Sequence, residues 1–140
     1  MTQYHQKKIA MINDLSGYGR CSITAALPVL AALKIQCCPV PTSVLSNHTG
    51  FPVYFLMIIL IKWNLILKNG KNWDYPLMHC LRFLGSERQI QIVKDMITEF
   101  KKPETKVIVD PIMGDHGETM PLIQKPCAGK CGNLQKWQIF

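Results

Sequence analysis

The chain has 140 residues, enough for one domain of ordinary size with a buried core, and it carries a formal net charge of +7 and six cysteines. Those figures raise a nucleic-acid binder and a disulfide-framed secreted domain, and the distribution of residues argues against both. Residues 1 to 8 are polar and basic, with no apolar run leading to a small-residue cleavage site, so a reducing, cytoplasmic setting is expected. No Cys-x-x-Cys occurs, and Cys127 and Cys131 lack a second ligand pair, which argues against zinc. Cys37 and Cys38 read as small core residues. The basic excess is concentrated in residues 56 to 82, where Lys62, Lys68, Lys71 and Arg82 face only Asp74, and in residues 120 to 140, where Lys125, Lys130 and Lys136 face no acid. No nucleic-acid recognition motif accompanies that charge, so a nucleic-acid-binding module ranks last among the function classes.

In chain order, Lys8 to Ile12 reads as a first strand that ends at Asn13 and Asp14. Ser16 to Ser22 reads as a loop of small and polar residues, and Ile23 to Leu33 as a helix with Ile23, Leu27, Leu30 and Leu33 at helical spacing. Pro28 falls inside that pattern, so the helix either starts near it or kinks there. Ile35 to Val40 is the next strand, followed by Thr42 to Leu45 and the polar cluster Ser46-Asn47-His48-Thr49-Gly50. Strand, glycine-containing loop, helix, strand is the order of a parallel α/β sheet. The pair Gly17 and Gly19 lacks the third glycine of a dinucleotide fingerprint, and no Walker-type phosphate loop occurs. His48 is suited to act as an acid, a base or a hydrogen-bond donor, and a structural loop histidine is the competing reading.

Residues 87 to 101 should form a second helix, with Ile90, Val93, Ile97 and Phe100 at helical spacing and Lys101-Lys102 at its C-terminus before Pro103. Val107, Ile108 and Val109 form a continuous β-branched run suited to a strand buried on both faces. Pro111 ends it and leaves Asp110 at the carboxyl edge of the sheet, the edge at which open α/β sheets bind ligands. Asp115 follows, after Gly114. Two acids on one strand-end loop suit magnesium, phosphate or proton transfer, and a strand with a polar turn is the plain alternative.

Four stretches occur together and in order: Asn13-Asp14-Leu15-Ser16-Gly17-Tyr18-Gly19, Leu45-Ser46-Asn47-His48-Thr49-Gly50, Phe83-Leu84-Gly85-Ser86-Glu87 and Val109-Asp110-Pro111-Ile112-Met113-Gly114-Asp115. The set resembles the pyridoxal (pyridoxine, pyridoxamine) kinases of the ribokinase-like superfamily, over about residues 7 to 55 and 83 to 119. The Ser-Asn-His-Thr-Gly loop is specific to that branch, while the Asp-Pro-x-Met-Gly-Asp stretch is shared with hydroxymethylpyrimidine kinases. The resemblance implies an α/β fold, an incomplete ribokinase-like one with a parallel sheet flanked by helices, in which residues 1 to 140 are the N-terminal part of the kinase domain. It implies ATP and Mg2+ as cofactors and phosphorylation of the 5'-hydroxymethyl group of pyridoxal, pyridoxine or pyridoxamine. Asp14 and Ser16 would then lie on the loop that meets the pyridine ring, and His48 and Thr49 on the loop flanking it. Phe83 would stand beside the substrate, with Asp110 and Asp115 near the phosphates and metal. A homodimer is expected for the intact family, with no nucleic acid and no membrane as partner.

The departures are equally specific. The family's Asn-x-x-Glu segment and its Gly-Thr-Gly-Asp anion hole, which carries the usual catalytic base, do not occur in these 140 residues, so no catalytic residue is assigned and the chain alone is expected to be inactive. Alternatives are a hydroxymethylpyrimidine kinase-like enzyme, a kinase whose second half is another chain, and a non-catalytic B6-binding fragment. Residues 56 to 82 replace the family's acidic helix with an apolar run that ends at Lys62, well short of the roughly 20 residues of a membrane span. Suitable synonymous codons for Phe55 to Asn64, entered at the last base of the first, read Phe-Asp-Asp-Tyr-Thr-Asp-Lys-Met-Glu, which is family-like. Thr119 to Ala128, entered at the third base, likewise gives Tyr-Ala-Thr-Tyr-Thr-Glu-Ala-Leu-Cys. Segments 56 to 82 and 120 to 140 therefore read as frameshifted, the first helical through apolarity alone and poorly packed, the second loose.

Overall fold

A computed structural model of the chain describes residues 6–59, 78–81, 84, 86–110, 114–115 and 118–119. Strand β1 spans Lys8–Tyr18, helix α1 Ser22–Ala32, β2 Gln36–Asn47 and β3 Leu56–Ile58. Then follow β4 at Met78–Leu81, helix α2 at Glu87–Phe100, β5 at Lys106–Val109, and the two-residue strands β6 (Gly114–Asp115) and β7 (Glu118–Thr119). One five-stranded sheet has the order β3-β2-β1-β4-β5, and β6 pairs with β7 in a separate ribbon. The pairs β1–β2, β1–β4 and β4–β5 are parallel, and β3 adds antiparallel at the β2 edge.

Alternation along β1 decides which side each helix takes. Ala10 and Ile12 face a core formed with Val40, Val107 and Val109 and with Ile90, Val93, Met96 and Ile97 of α2. Ile9 and Met11 face the opposite core, with Ile23 and Leu30 of α1. The result is a sheet flanked by helices, as expected.

Helix α2 starts where the sequence places it, because the Ser86 side chain accepts from the Gln89 amide at 3.3 Å and so caps the first turn. Helix α1 keeps Pro28 inside its span. Of its expected apolar stripe, Ile23 and Leu30 are buried while Leu27 and Leu33 are exposed. It closes on a Schellman turn, with Ile35 N–H donating to Leu30 at 2.9 Å, Lys34 N–H to Ala31 at 2.9 Å, and Lys34 left-handed at φ 58°.

Several expectations need correction. The strand at 106–109 is buried on one face only: Val107 and Val109 pack under α2 while Ile108 is 43% exposed. Between it and β1 lies β4. The described parts of 56 to 82 are strands, not helix, because the edges of β2 and β1 offer unpaired backbone groups that short apolar segments can satisfy. Residues 60–77 and the tail 120–140 lie outside the described residues.

Candidate functional site

The site is built on the carboxyl ends of β1 and β2. Both strands run further than their apolar cores: β1 continues through Asn13 to Tyr18 and β2 through Thr42 to Asn47, so the polar residues expected in loops are strand-borne. The register shifts between Asn13, opposite Pro41, and Leu15, opposite Val44, which sets Asp14 against two residues, Thr42 and Ser43. Such a bulge bends the strand and re-aims side chains beside it. Both hydroxyls of that pair, Thr42 Oγ1 and Ser43 Oγ, are buried without a hydrogen-bond partner.

The Asp14 carboxylate is half-buried and held on both oxygens. Ser22 Oγ, from the first residue of α1, donates to Oδ1 at 2.6 Å, and the fully buried Ser16 Oγ donates to Oδ2 at 3.2 Å. The Asp14 amide donates to Asn13 Oδ1 at 3.0 Å. A carboxylate accepts at about four lone-pair positions, so two such bonds fix its plane and leave acceptor capacity for a ligand.

His48 follows β2 directly. Its amide donates to Tyr18 O at 3.2 Å, and its Nδ1 accepts from the Gly50 amide at 3.1 Å. An amide can only donate, so Nδ1 is the acceptor and the neutral ring carries its proton on Nε2, as a donor. Phe51 packs on the imidazole with centroids 4.6 Å apart, and Tyr18 meets Phe51 edge-on at 5.6 Å. The glycines explain the close fit: a Cβ on Gly19 would lie 2.6 Å from His48 Cδ2, one on Gly50 2.8 Å from Cε1, and one on Gly17 2.9 Å from the Ser46 carbonyl. Gly17 and Gly19 thus serve close packing of the β1 end against β2 and His48, and Gly19, at φ 121°, also needs glycine for its backbone. The loop beyond His48 is tied back by Asn47 Nδ2 donating to Val53 O at 3.0 Å and by the Phe55 amide donating to Ser46 Oγ at 2.9 Å.

The structure therefore brings Asp14 and Ser16 together, and places His48 on the neighbouring strand end, where Ser16 pairs with Leu45 and Tyr18 with Asn47. Thr49 is exposed in the turn after His48. Asp110 is half-buried at the same edge, after β5 and two strands from β1. Asp115 pairs with Glu118 through the β6–β7 ribbon. Phe83 lies outside the described residues. Among the described residues no group of three or more His, Cys, Asp and Glu is placed to hold a metal ion, and no helix is long and apolar enough to cross a membrane. Sequence reasoning missed Ser22, Asn13 and Phe51. Ser22 gives no local signal, since its part in the site depends on where the start of α1 meets the end of β1.

A largely parallel sheet between two helices, with a polar cluster at its carboxyl edge, defines over this span the fold of a ribokinase-like kinase. Within that class the chain is similar to a candidate phosphomethylpyrimidine kinase of Bacteroides thetaiotaomicron, at TM-score 0.89 and 35% identity, covering 98% of this chain and 48% of that one. Another crystal form of that protein, with pyridoxal, matches at TM-score 0.88 and 36% identity over 94% and 46%. Pyridoxal kinase from Lactobacillus plantarum matches at 0.80 and 22% over 91% and 46%, and that of Leishmania donovani in complex with ADP at 0.78 and 19% over 89% and 45%; these two speak to the fold alone. The chain spans about half the length of the structures it matches, in keeping with the N-terminal half anticipated from its motifs. No family model matches the chain, and no curated protein does either.

Proposed function

We propose that this chain is the substrate-binding half of a vitamin B6 kinase, an ATP-dependent phosphotransferase acting on the 5'-hydroxymethyl group of pyridoxal, pyridoxine or pyridoxamine. The observation that carries the reading is the pairing of a doubly held carboxylate, Asp14, with a tautomer-fixed imidazole, His48, on adjacent strand ends. A planar, hydroxylated nitrogen ring needs an acceptor and a donor of that kind at its rim, set on rigid strands. The pyridoxal-bound form of the Bacteroides protein supports the choice of ligand.

ATP would supply the transferred phosphoryl group and Mg2+ would neutralise its charge. Magnesium is usually held by one or two carboxylates together with the substrate's phosphates, a role suited to Asp110 at the sheet edge and to Asp115 beyond it. Thr49 and Phe83 would complete the walls around the ring. No residue of these 140 is assigned as the catalytic base, so the chain binds vitamers without transferring phosphate. Cytoplasmic location and homodimerisation belong to the same reading.

A hydroxymethylpyrimidine kinase-like specificity is the second reading, favoured by the description of the Bacteroides protein. Calorimetric titration of the purified chain with pyridoxine, and separately with hydroxymethylpyrimidine, decides between them. Saturable binding of pyridoxine, with no phosphate transfer from Mg-ATP at any enzyme concentration, is expected. Tighter binding of the pyrimidine installs the second reading, and binding of neither overturns both.

A further inference from the structure

We propose that Ser22 is a positioning residue of the vitamer site, aiming the Asp14 carboxylate at the ring; this rests on the B6-site reading above. Ser22 is the first residue of α1 and sits in the left-handed region at φ 52°, a conformation that a non-glycine residue adopts at a cost. Nothing in the helix start repays it. A serine at a helix start ordinarily caps the first turn, accepting from an amide two or three residues on. Here the cap position belongs to Cys21, which makes no side-chain cap bond. Thr24 Oγ1 serves the local carbonyls, donating toward Cys21 O at 2.6 Å and Gly19 O at 3.2 Å. Ser22 Oγ instead turns out of the helix and donates to Asp14 Oδ1 at 2.6 Å, the shortest of the hydrogen bonds around that carboxylate.

Glycine would satisfy the backbone better than serine at this position, so what serine adds is its hydroxyl, and the hydroxyl is spent on Asp14. Holding both carboxylate oxygens, Ser22 and Ser16 fix its plane, so its remaining acceptor positions meet a donor on the vitamer without a search over rotamers. The placement also sets the carboxylate at the N-terminal end of α1, whose first turn holds no acidic residue of its own.

The backbone and the hydroxyl can be separated by substitution. Ser22→Gly relieves the left-handed strain while deleting the donor, and Ser22→Asn tolerates the backbone while restoring one. Pyridoxine is the probe, since it lacks the aldehyde that would form adducts with lysines. Ser22→Gly is expected to weaken pyridoxine binding by about tenfold, the scale of one hydrogen bond to a charged group. Its thermal midpoint should equal or exceed that of the wild type, Ser22→Asn should recover part of the affinity, and in an Asp14→Ala background Ser22→Gly should change binding no further. Wild-type affinity in Ser22→Gly, or an equal loss in both backgrounds, overturns the proposal. If the unsubstituted chain binds no pyridoxine, the site reading fails separately. The positioning role falls with it, and thermal unfolding of the same cycle tells the two failures apart: coupled midpoints leave the Ser22–Asp14 contact standing and overturn only its role toward the ring, while additive ones overturn the contact too.

Discussion

Gly19→Ala is the substitution whose cost can be worked most directly from the structure. Two terms add. The backbone at φ 121° is one that residues with a Cβ rarely adopt, and left-handed geometry costs an L-residue roughly 1–2 kcal/mol. The new methyl would lie 2.6 Å from His48 Cδ2, where carbon atoms prefer about 3.5–4.0 Å, so the ring must give by roughly 1 Å. It has little room to do so, with Phe51 at 4.6 Å on one side and the Gly50 amide held at 3.1 Å by Nδ1. Overpacking of this kind costs about 1–3 kcal/mol. The sum is about 3 kcal/mol, or a fall of roughly 6–12 °C in midpoint for a chain of this size. Urea unfolding followed by circular dichroism, in the wild type and in a His48→Ala background, separates the terms. Without the ring only the backbone part, roughly 1–2 kcal/mol, should remain. Equal costs in the two backgrounds would refute the claim that Gly19 is required by the seat of His48.

Gln89 is 1% exposed and its Nε2 bridges the carbonyls of Thr42 at 2.5 Å and Ile59 at 3.1 Å, tying α2 to the β2–β3 edge. Gln89→Ala should therefore cost about 2–3 kcal/mol in urea unfolding, and Gln89→Met, which keeps the volume, less. Burial pushes the Cys38 thiol above its ordinary range, against a smaller opposing pull from Lys8. A thiol raised in the folded state contributes stability that is fully present below the unfolded thiol's pKa and is lost as pH rises through the folded one. The stability difference between the wild type and Cys38→Ala should therefore shrink in the alkaline range, and a difference that grows there would contradict the burial argument. Resequencing of the coding DNA through codons 50 to 85 and 115 to 140 is expected to reveal single-base shifts near residues 55, 83 and 119; one uninterrupted frame removes that account of the two basic segments.

What the sequence disclosed, and what it hid, follows from where each signal resides. Helix α2 was legible because its period and its terminus are local, and Ile90, Val93 and Ile97 are buried as their spacing requires; the Ser86 cap is equally local and went unread. The continuation of β1 past Ile12 was not, since Asn13, Asp14, Ser16 and Gly17 are turn-formers by composition, and only pairing with β2 across the bulge keeps them extended. Ile108 looked buried because a β-branched run does not say whether both faces of its strand are covered. In the candidate site, Asp14, Ser16 and His48 could be proposed from motifs. Ser22 and the glycine seat of His48 could not, because they depend on one positive φ and on distances between strand ends.

The position of β4 gives the two halves of the site unequal footing. Met78–Leu81 lies between β1 and β5, in parallel register with both, so among the described residues β5 and the Asp110 that follows it join the sheet through β4. That strand comes from the stretch that departs from the B6-kinase pattern. A strand's backbone bonding asks little of its side chains beyond the absence of proline, which Met-His-Cys-Leu meets, so an altered segment still holds the place. Asp14 and His48, by contrast, stand on β1 and β2, which pair directly from Lys8–Gln36 to Tyr18–Asn47. The residues proposed to face the ring are anchored by the longest ladder among the described strands, while the carboxylate proposed for the phosphates is anchored through a strand of the atypical stretch. Disturbing β4 is therefore expected to displace Asp110 before it displaces Asp14 or His48, and vitamer binding should outlast any affinity for Mg-ATP as the chain is destabilised.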